Sequence, residues 1–148
     1  MTSIADYMNS YRATWCPGCG NFGMWAALRR ALVEMDLPPH KLLCVYDIGC
    51  GGNGSNWFRS YGFHALHGRA LPAALGCKLA NHELEIICFA GDGGGFGEGG
   101  NHFLHTCRTN VDLTYVIHDN QLYSLTTGQA SPTSAEGMET KSTPSPFP

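Results

Sequence analysis

A carboxylate and a carboxamide set one structural unit apart carry the strongest chemical signal in the sequence. Asp92 stands in Gly91-Asp92-Gly93, after the apolar run LEIICFA (84–90). Asp119-Asn120 closes and follows the next such run, DLTYVIHD (112–119). Two parallel strands joined by a crossover helix bring both tips to one edge of a sheet. Asp92 in that position would repel a bare diphosphate. Two unit charges about 4 Å apart cost roughly 1 kcal/mol in water and roughly 4 kcal/mol at an effective dielectric of 20. A divalent cation between them reverses the sign. Mg²⁺ takes about six oxygens from carboxylates, amide or backbone carbonyls, phosphate and water, and Asp92, Asn120 and a backbone carbonyl near Leu122 supply such a set. The amides of Gly93 and Gly94, ahead of the next helix, can meet the phosphate itself.

Two other readings compete. Gly95-x-Gly97-x-x-Gly100 and Gly49-x-Gly51-x-x-Gly54 match the dinucleotide fingerprint, with Asp119 about where a ribose-binding acid stands. Such short patterns arise easily in a glycine-rich chain, and Asp92 disfavours an unshielded pyrophosphate. Alternatively, Asp92 is a helix N-cap and Asn120 an ordinary turn residue.

Thiols form the second signal. Cys16-Pro17-Gly18-Cys19 puts two on one tight turn, and Cys50 lies in the GCGGNGS loop after the run 41–48. Four thiolates bind an iron–sulfur cluster or zinc, and these three cysteines leave the fourth ligand missing or beyond Pro148. On the CxxC alone, zinc and iron are equally good readings. Cys44 and Cys88 lie within apolar runs, and Cys77 and Cys107 on helical segments. All four read as small buried hydrophobes.

The elements that position these residues follow from periodicity. Phe22, Trp25, Ala26, Leu28, Leu32 and Met35 recur at helical spacing until Leu37-Pro38-Pro39 stops them. KLLCVYDI (41–48) predicts a strand buried on both faces, and Arg69–Leu79 a helix with Pro72 in its first turn. Strand 84–90, loop GDGGGFGEGG, helix HFLHTCR and strand 112–119 complete the alternation. This is an α/β pattern, a doubly wound and mostly parallel sheet. From Thr126 on, Ser, Thr, Pro and Gly dominate with no closing element, so the expectation is one domain over 1–148 truncated at its C-terminus. Within it, 1–20 is the segment that carries the metal- or cluster-binding thiols, 21–125 the core and 126–148 an irregular tail.

Bulk properties exclude other classes. The 148 residues carry a net charge of −3 with no basic run, which leaves no electrostatic footprint for nucleic acid. No apolar stretch approaches the roughly 20 residues that span a bilayer, and no secretory leader pattern opens the chain, so a cytoplasmic location is expected.

Taken in order, WCPGCG, DIGCGGN, YGFHALHGRALPAALGCKLAN, FAGDGGGFGEGGNHFLHTCR and IHDNQLYSLTTGQASPTS resemble the beta subunits of the 2-oxoacid:ferredoxin oxidoreductases, from Trp15 to about Pro148. The resemblance implies a thiamine-diphosphate-binding fold. It also implies Mg²⁺ on Asp92, Asn120 and the Leu122 carbonyl, and a [4Fe-4S] cluster on Cys16, Cys19 and Cys50. Thiamine diphosphate would touch Ile48, Gly49, Cys50, Gly51, His67, Gly93, Gly94, Ser124 and Leu125. His64 reads equally well as a structural histidine, whereas for His67, which immediately precedes the flexible Gly68, the structural reading is the weaker one.

The family's reaction would follow. The cofactor attacks the 2-oxo carbon, CO₂ leaves, electrons pass singly to the cluster and on to ferredoxin, and coenzyme A takes the acyl group. An alpha subunit is implied as partner, and it supplies the acid–base group, so no catalytic residue is assigned in this chain. Asp47 stands where many members carry a small residue, and Thr127 where many carry a lysine. TTGQASPTS resembles the 2-oxoglutarate-type subunits more than the pyruvate-type. Rival readings are a non-oxidative thiamine-dependent decarboxylase or synthase, which has no use for WCPGCG, a dinucleotide-binding dehydrogenase, and a non-catalytic zinc-bound module.

Overall fold

The computed structural model describes residues 1–143. Its elements are helix α1 (Gly20–Glu34), strands β1 (Leu42–Tyr46) and β2 (Tyr61–His64), helix α2 (Ala70–Ala80), strand β3 (Glu85–Gly91), helix α3 (Gly100–Thr109) and strands β4 (Thr114–His118), β5 (Leu122–Tyr123) and β6 (Gln129–Ala130). Four strands form a parallel sheet in the order β2-β1-β3-β4, and β5 and β6 pair antiparallel as a separate hairpin.

Strand β1 is buried throughout, and its alternation divides the core into two layers. Leu42, Cys44 and Tyr46 face α1, where they meet Trp25, Leu32, Phe58 and Phe89. Leu43 and Val45 face the other side, against Ala70, Leu71 and Ala74 of α2 and alongside Ile86 and Cys88, with Phe103 of α3 packed on the same layer. Helices therefore cover both faces, which is the doubly wound arrangement the sequence predicts. Trp25 fills the first layer, its ring centroid 4.8 Å from Phe89 and 5.1 Å from Phe58.

Four expectations need correction. Tyr61–His64 is a strand that periodicity did not reveal, because it lies at the sheet edge with all four side chains exposed and so shows no alternation. The segment expected as loop GDGGGFGEGG contains a π-helical turn, Gly93–Glu98, in which the Gly99 amide donates to the Gly94 carbonyl at 2.8 Å. This turn runs straight into α3. Cys44 and Cys88 are buried, but Cys77 is only partly covered and Cys107 is exposed, on a helix turned outward at that position. The tail also holds more order than irregular sequence suggests, since it supplies the short strand β6 and a tight turn at Ser131–Ser134.

Candidate functional site

The side to which the chain crosses changes at the centre of the parallel sheet. After β1 the chain crosses to β2 on one side, and after β3 it crosses to β4 on the other. The two loops thus part at their strands' carboxyl ends and leave a crevice between them, the usual ligand position in open α/β sheets. Residues 47–54 form one wall and residues 92–99 the other.

Asp47 stands at the tip of β1, only 1 % exposed. Its Oδ1 accepts two amides at 2.8 Å, from Ile48 and from Gly68. One oxygen therefore ties the loop after β1 to the turn that carries His67. Gly68 adopts φ +69, and a Cβ there would meet Glu98 and Gly99, so the left-handed turn and the close approach both require glycine. The second oxygen, Oδ2, is buried without a partner and lies against Gly94. Burial holds the Asp47 carboxyl above its usual range. The two walls meet at this contact.

His67 faces Glu98 at 3.7 Å, and its ring lies edge-on to Tyr123, 6.0 Å between centroids. The Tyr123 hydroxyl is 3.2 Å from both Glu98 oxygens, and burial with that carboxylate raises its pKa to about 12. The Tyr123 ring lies over Gly93, where no Cβ could be accommodated. His64 sits apart on the exposed edge strand, 3.5 Å from the Ser55 hydroxyl, in a structural setting.

Asp92 opens the π-helical turn but does not cap it, since its side chain makes no capping hydrogen bond. It is 1 % exposed. Its Oδ2 accepts hydrogen bonds from the hydroxyls of Ser131 and, at 2.6 Å, Thr133. Gly91 pairs with His118, so Asp92 and Asp119 leave adjacent strands side by side, and Thr133 Oγ1 also lies 3.0 Å from Asp119 Oδ1. Asn120 starts a turn. Its Oδ1 accepts the Leu122 amide at 3.2 Å and its Nδ2 donates to the Ser124 hydroxyl at 2.5 Å. The turn reading is therefore part of the truth for Asn120, and the same turn gathers Asn120, Leu122 and Ser124 at one place. Leu125 follows and is half exposed.

The thiols converge from two directions. The Cys19 amide donates to the Cys16 carbonyl at 3.0 Å around Gly18, which has φ +79. The Trp15 indole donates to the Cys50 carbonyl at 2.6 Å and ties that turn to the loop after β1. Burial raises the Cys50 thiol, and the charges of Cys19 and Cys16 push it further in the same direction, so the three thiols sit within electrostatic reach. They are not drawn to ligating distance. Among the described residues no group of three or more His, Cys, Asp or Glu side chains could hold a metal ion as it stands. The oxygen set of Asp92, Asn120 and a backbone carbonyl contains only one such side chain and is not touched by that observation.

Sequence reasoning missed Glu98, Tyr123, His118, Ser131 and Thr133. His118 lies on β4 with Nδ1 2.9 Å from Asn21 Oδ1 and a buried Nε2 that has no partner, and burial pulls its pKa down. The signal for Ser131 and Thr133 was the hydroxyl-rich SPTS stretch, which composition alone assigns to a tail.

Comparison with known proteins decides the family. Residues 47–148 match the model of the thiamine pyrophosphate enzyme C-terminal TPP binding domain. The chain belongs to the thiamine pyrophosphate enzymes. This TPP-binding domain is similar to the 2-oxoacid:ferredoxin oxidoreductase subunit beta of Saccharolobus solfataricus, 51% identical over 134 residues, which are 89% of this chain and 44% of the relative. It is also similar to the 2-oxoglutarate synthase subunit KorB of Archaeoglobus fulgidus, 43% identical over 142 residues, 95% of this chain and 53% of the relative. A solved 2-oxoglutarate:ferredoxin oxidoreductase from Magnetococcus marinus, with 2-oxoglutarate, coenzyme A and succinyl-CoA bound, superposes with a TM-score of 0.96 at 41% identity. That match covers 99% of this chain and 50% of the other. The TPP-binding domain thus spans about half the length of the relatives it matches. The resemblance and fold expected from sequence are both borne out, and among the described residues no helix is long and apolar enough to cross a membrane.

Proposed function

We propose that this thiamine pyrophosphate enzyme domain is the cofactor-binding core of a 2-oxoacid:ferredoxin oxidoreductase beta subunit. It works with an alpha subunit and passes electrons to ferredoxin. The observation that carries the proposal is the crevice between β1 and β3, where the walls 47–54 and 92–99 meet and Asp92 and Asp119 stand together on one hydroxyl.

Magnesium would sit on Asp92, Asn120 and the Leu122 carbonyl. The diphosphate would lie on the Gly93 and Gly94 amides at the start of the π-helical turn, and Ile48 to Gly51, His67, Ser124 and Leu125 would line the rest of the cofactor. When bound, thiamine diphosphate supplies the nucleophilic carbon and the electron sink for decarboxylating a 2-oxoacid. The chain's own residues bind and orient it. Asp47 fixes the loop that carries Ile48 to Gly51 against the turn that carries His67. Glu98 accepts from Tyr123 and faces His67. Cys16, Cys19 and Cys50 would hold a [4Fe-4S] cluster with a fourth thiolate from outside these residues, and the cluster would supply one-electron transfer. In the balanced reaction, the 2-oxoacid and coenzyme A yield acyl-CoA, CO₂ and a proton, and two ferredoxins each gain one electron. The neighbour with 2-oxoglutarate and succinyl-CoA bound supports the larger 2-oxoacid as substrate.

The test uses the complete enzyme, purified with its alpha subunit. Asp92→Asn is expected to lower Mg²⁺-dependent retention of thiamine diphosphate by about 10- to 100-fold or more. Metal analysis should find iron and sulfide, both reduced in Cys16→Ala and Cys19→Ala. Zinc in their place, or 2-oxoacid turnover without an electron acceptor, would overturn the proposal.

A further inference from the structure

Asp92 has two carboxylate oxygens, and the structure assigns them unequal work. Both hydroxyls that reach it, from Ser131 and Thr133, land on Oδ2. They come from one tight turn about forty residues downstream, which orders itself without help from Asp92. The Ser134 amide donates to the Ser131 carbonyl at 3.0 Å, and the Ser131 amide returns a bond to the Ser134 hydroxyl side, at 2.8 Å. Pro132 occupies the second position, where its fixed φ favours a β-turn. The Ser134 hydroxyl also donates at 2.7 Å to the Gln121 carbonyl, which anchors the turn beside Asn120.

A rigid turn thus presents two donors to one side of a buried carboxylate, and Ser131 itself is 1 % exposed. An ionised carboxylate is acceptor-only, with room on each oxygen for more than one partner. Donors locked on Oδ2 fix the rotation of the carboxyl plane and leave Oδ1 for a cation. Thr133 adds a second constraint. Its single proton cannot serve both Asp92 and Asp119, so the two carboxylates share one hydroxyl at 2.6 and 3.0 Å. That leaves the strand tips short of one positive partner.

We infer that Ser131 and Thr133 are positioning residues for the magnesium ion, holding Asp92 so that Oδ1 faces it. This inference rests on the magnesium reading above. Partners that orient a metal ligand typically change metal affinity by about 10- to 100-fold when removed.

The experiment titrates Mg²⁺ into the complete enzyme freed of metal, in saturating thiamine diphosphate. Mg²⁺ binding is read from the tryptophan fluorescence change, and thermal unfolding without metal is recorded in parallel. Thr133→Val and Ser131→Ala are expected to weaken Mg²⁺ binding by about 10-fold or more, whereas Thr133→Ser, which keeps the hydroxyl, should stay within about threefold of wild type. If Thr133→Val does not fold, Ser131→Ala carries the same comparison. Lowered thermal stability with unchanged Mg²⁺ affinity in both hydroxyl deletions, while Asp92→Asn loses binding, would overturn the inference and leave the magnesium reading standing. Wild-type affinity in Asp92→Asn would overturn both.

Discussion

Asp47 shows how much one buried carboxyl can organise. Its Oδ1 joins two loops through backbone amides, while Oδ2 has no partner, and burial raises its pKa above the ordinary 3.8. A folded-state pKa above the unfolded value means that the folded protein binds the proton more tightly. The stabilising contribution is therefore complete below the unfolded value and lost as pH rises through the folded pKa. Asn cannot ionise and keeps the carbonyl that accepts both amides. In Asp47→Asn the unfolding temperature should match or exceed wild type near neutral pH, and the difference should vanish or reverse as pH falls toward 4. Thermal unfolding of both proteins across that range checks it, and parallel curves would refute it. The sequence marked Asp47 only as an unusual residue at its position, because nothing in a string of letters shows that Gly68 would fold back onto it.

Among the elements, the glycine-rich segment after β3 was legible as a site but not as a shape. Strand 84–90 and helix 102–108 bracketed it correctly to within a few residues, since apolar runs and helical spacing report burial directly. The π-helical turn escaped because its glycines are dictated by neighbours far away in sequence: Tyr123 lies over Gly93, and Asp47 lies against Gly94. Gly94→Ala should therefore cost about 1–3 kcal/mol, the usual range for overpacking a well-filled interior, as measured by urea unfolding. A loss under a few tenths would show that the two walls can separate freely. In α1, Trp25 joins Tyr46, Phe58 and Phe89 in one aromatic layer. Trp25→Ala should cost about 3–5 kcal/mol, as large-to-small changes of buried aromatics do, in the same assay. The edge strand β2 was illegible for the opposite reason: a strand with every side chain exposed carries no hydrophobic pattern to find.

On the scale of the whole molecule, the sheet order β2-β1-β3-β4 makes the site a property of topology rather than of any one motif. The two loops that form the crevice begin 45 residues apart (92 − 47) and meet only because their strands are neighbours. The alternation of runs in the sequence indicated a parallel sheet and the edge where ligands gather. It could not indicate which strands adjoin, nor that the hairpin β5-β6 would return the tail to Asp92. The thiols depend on the same long-range arrangement, joined by the bond from Trp15 to the Cys50 carbonyl. Trp15→Phe, which keeps an aromatic ring but removes the N–H, should lower iron content per complete enzyme while Mg²⁺-dependent cofactor retention stays at the wild-type level. Equal iron in the two proteins would show that the bond has no part in assembling the cluster.

The turn at Ser131–Ser134 also makes the covering of the acidic tip separable from the building of the sheet. All four strands of the main sheet end by His118, whereas the hydroxyls that cover Asp92 come from residues 131 and 133. A cut in the backbone between β5 and β6 would therefore leave the connectivity of the main sheet whole while severing the covalent link that holds those hydroxyls over the carboxylate.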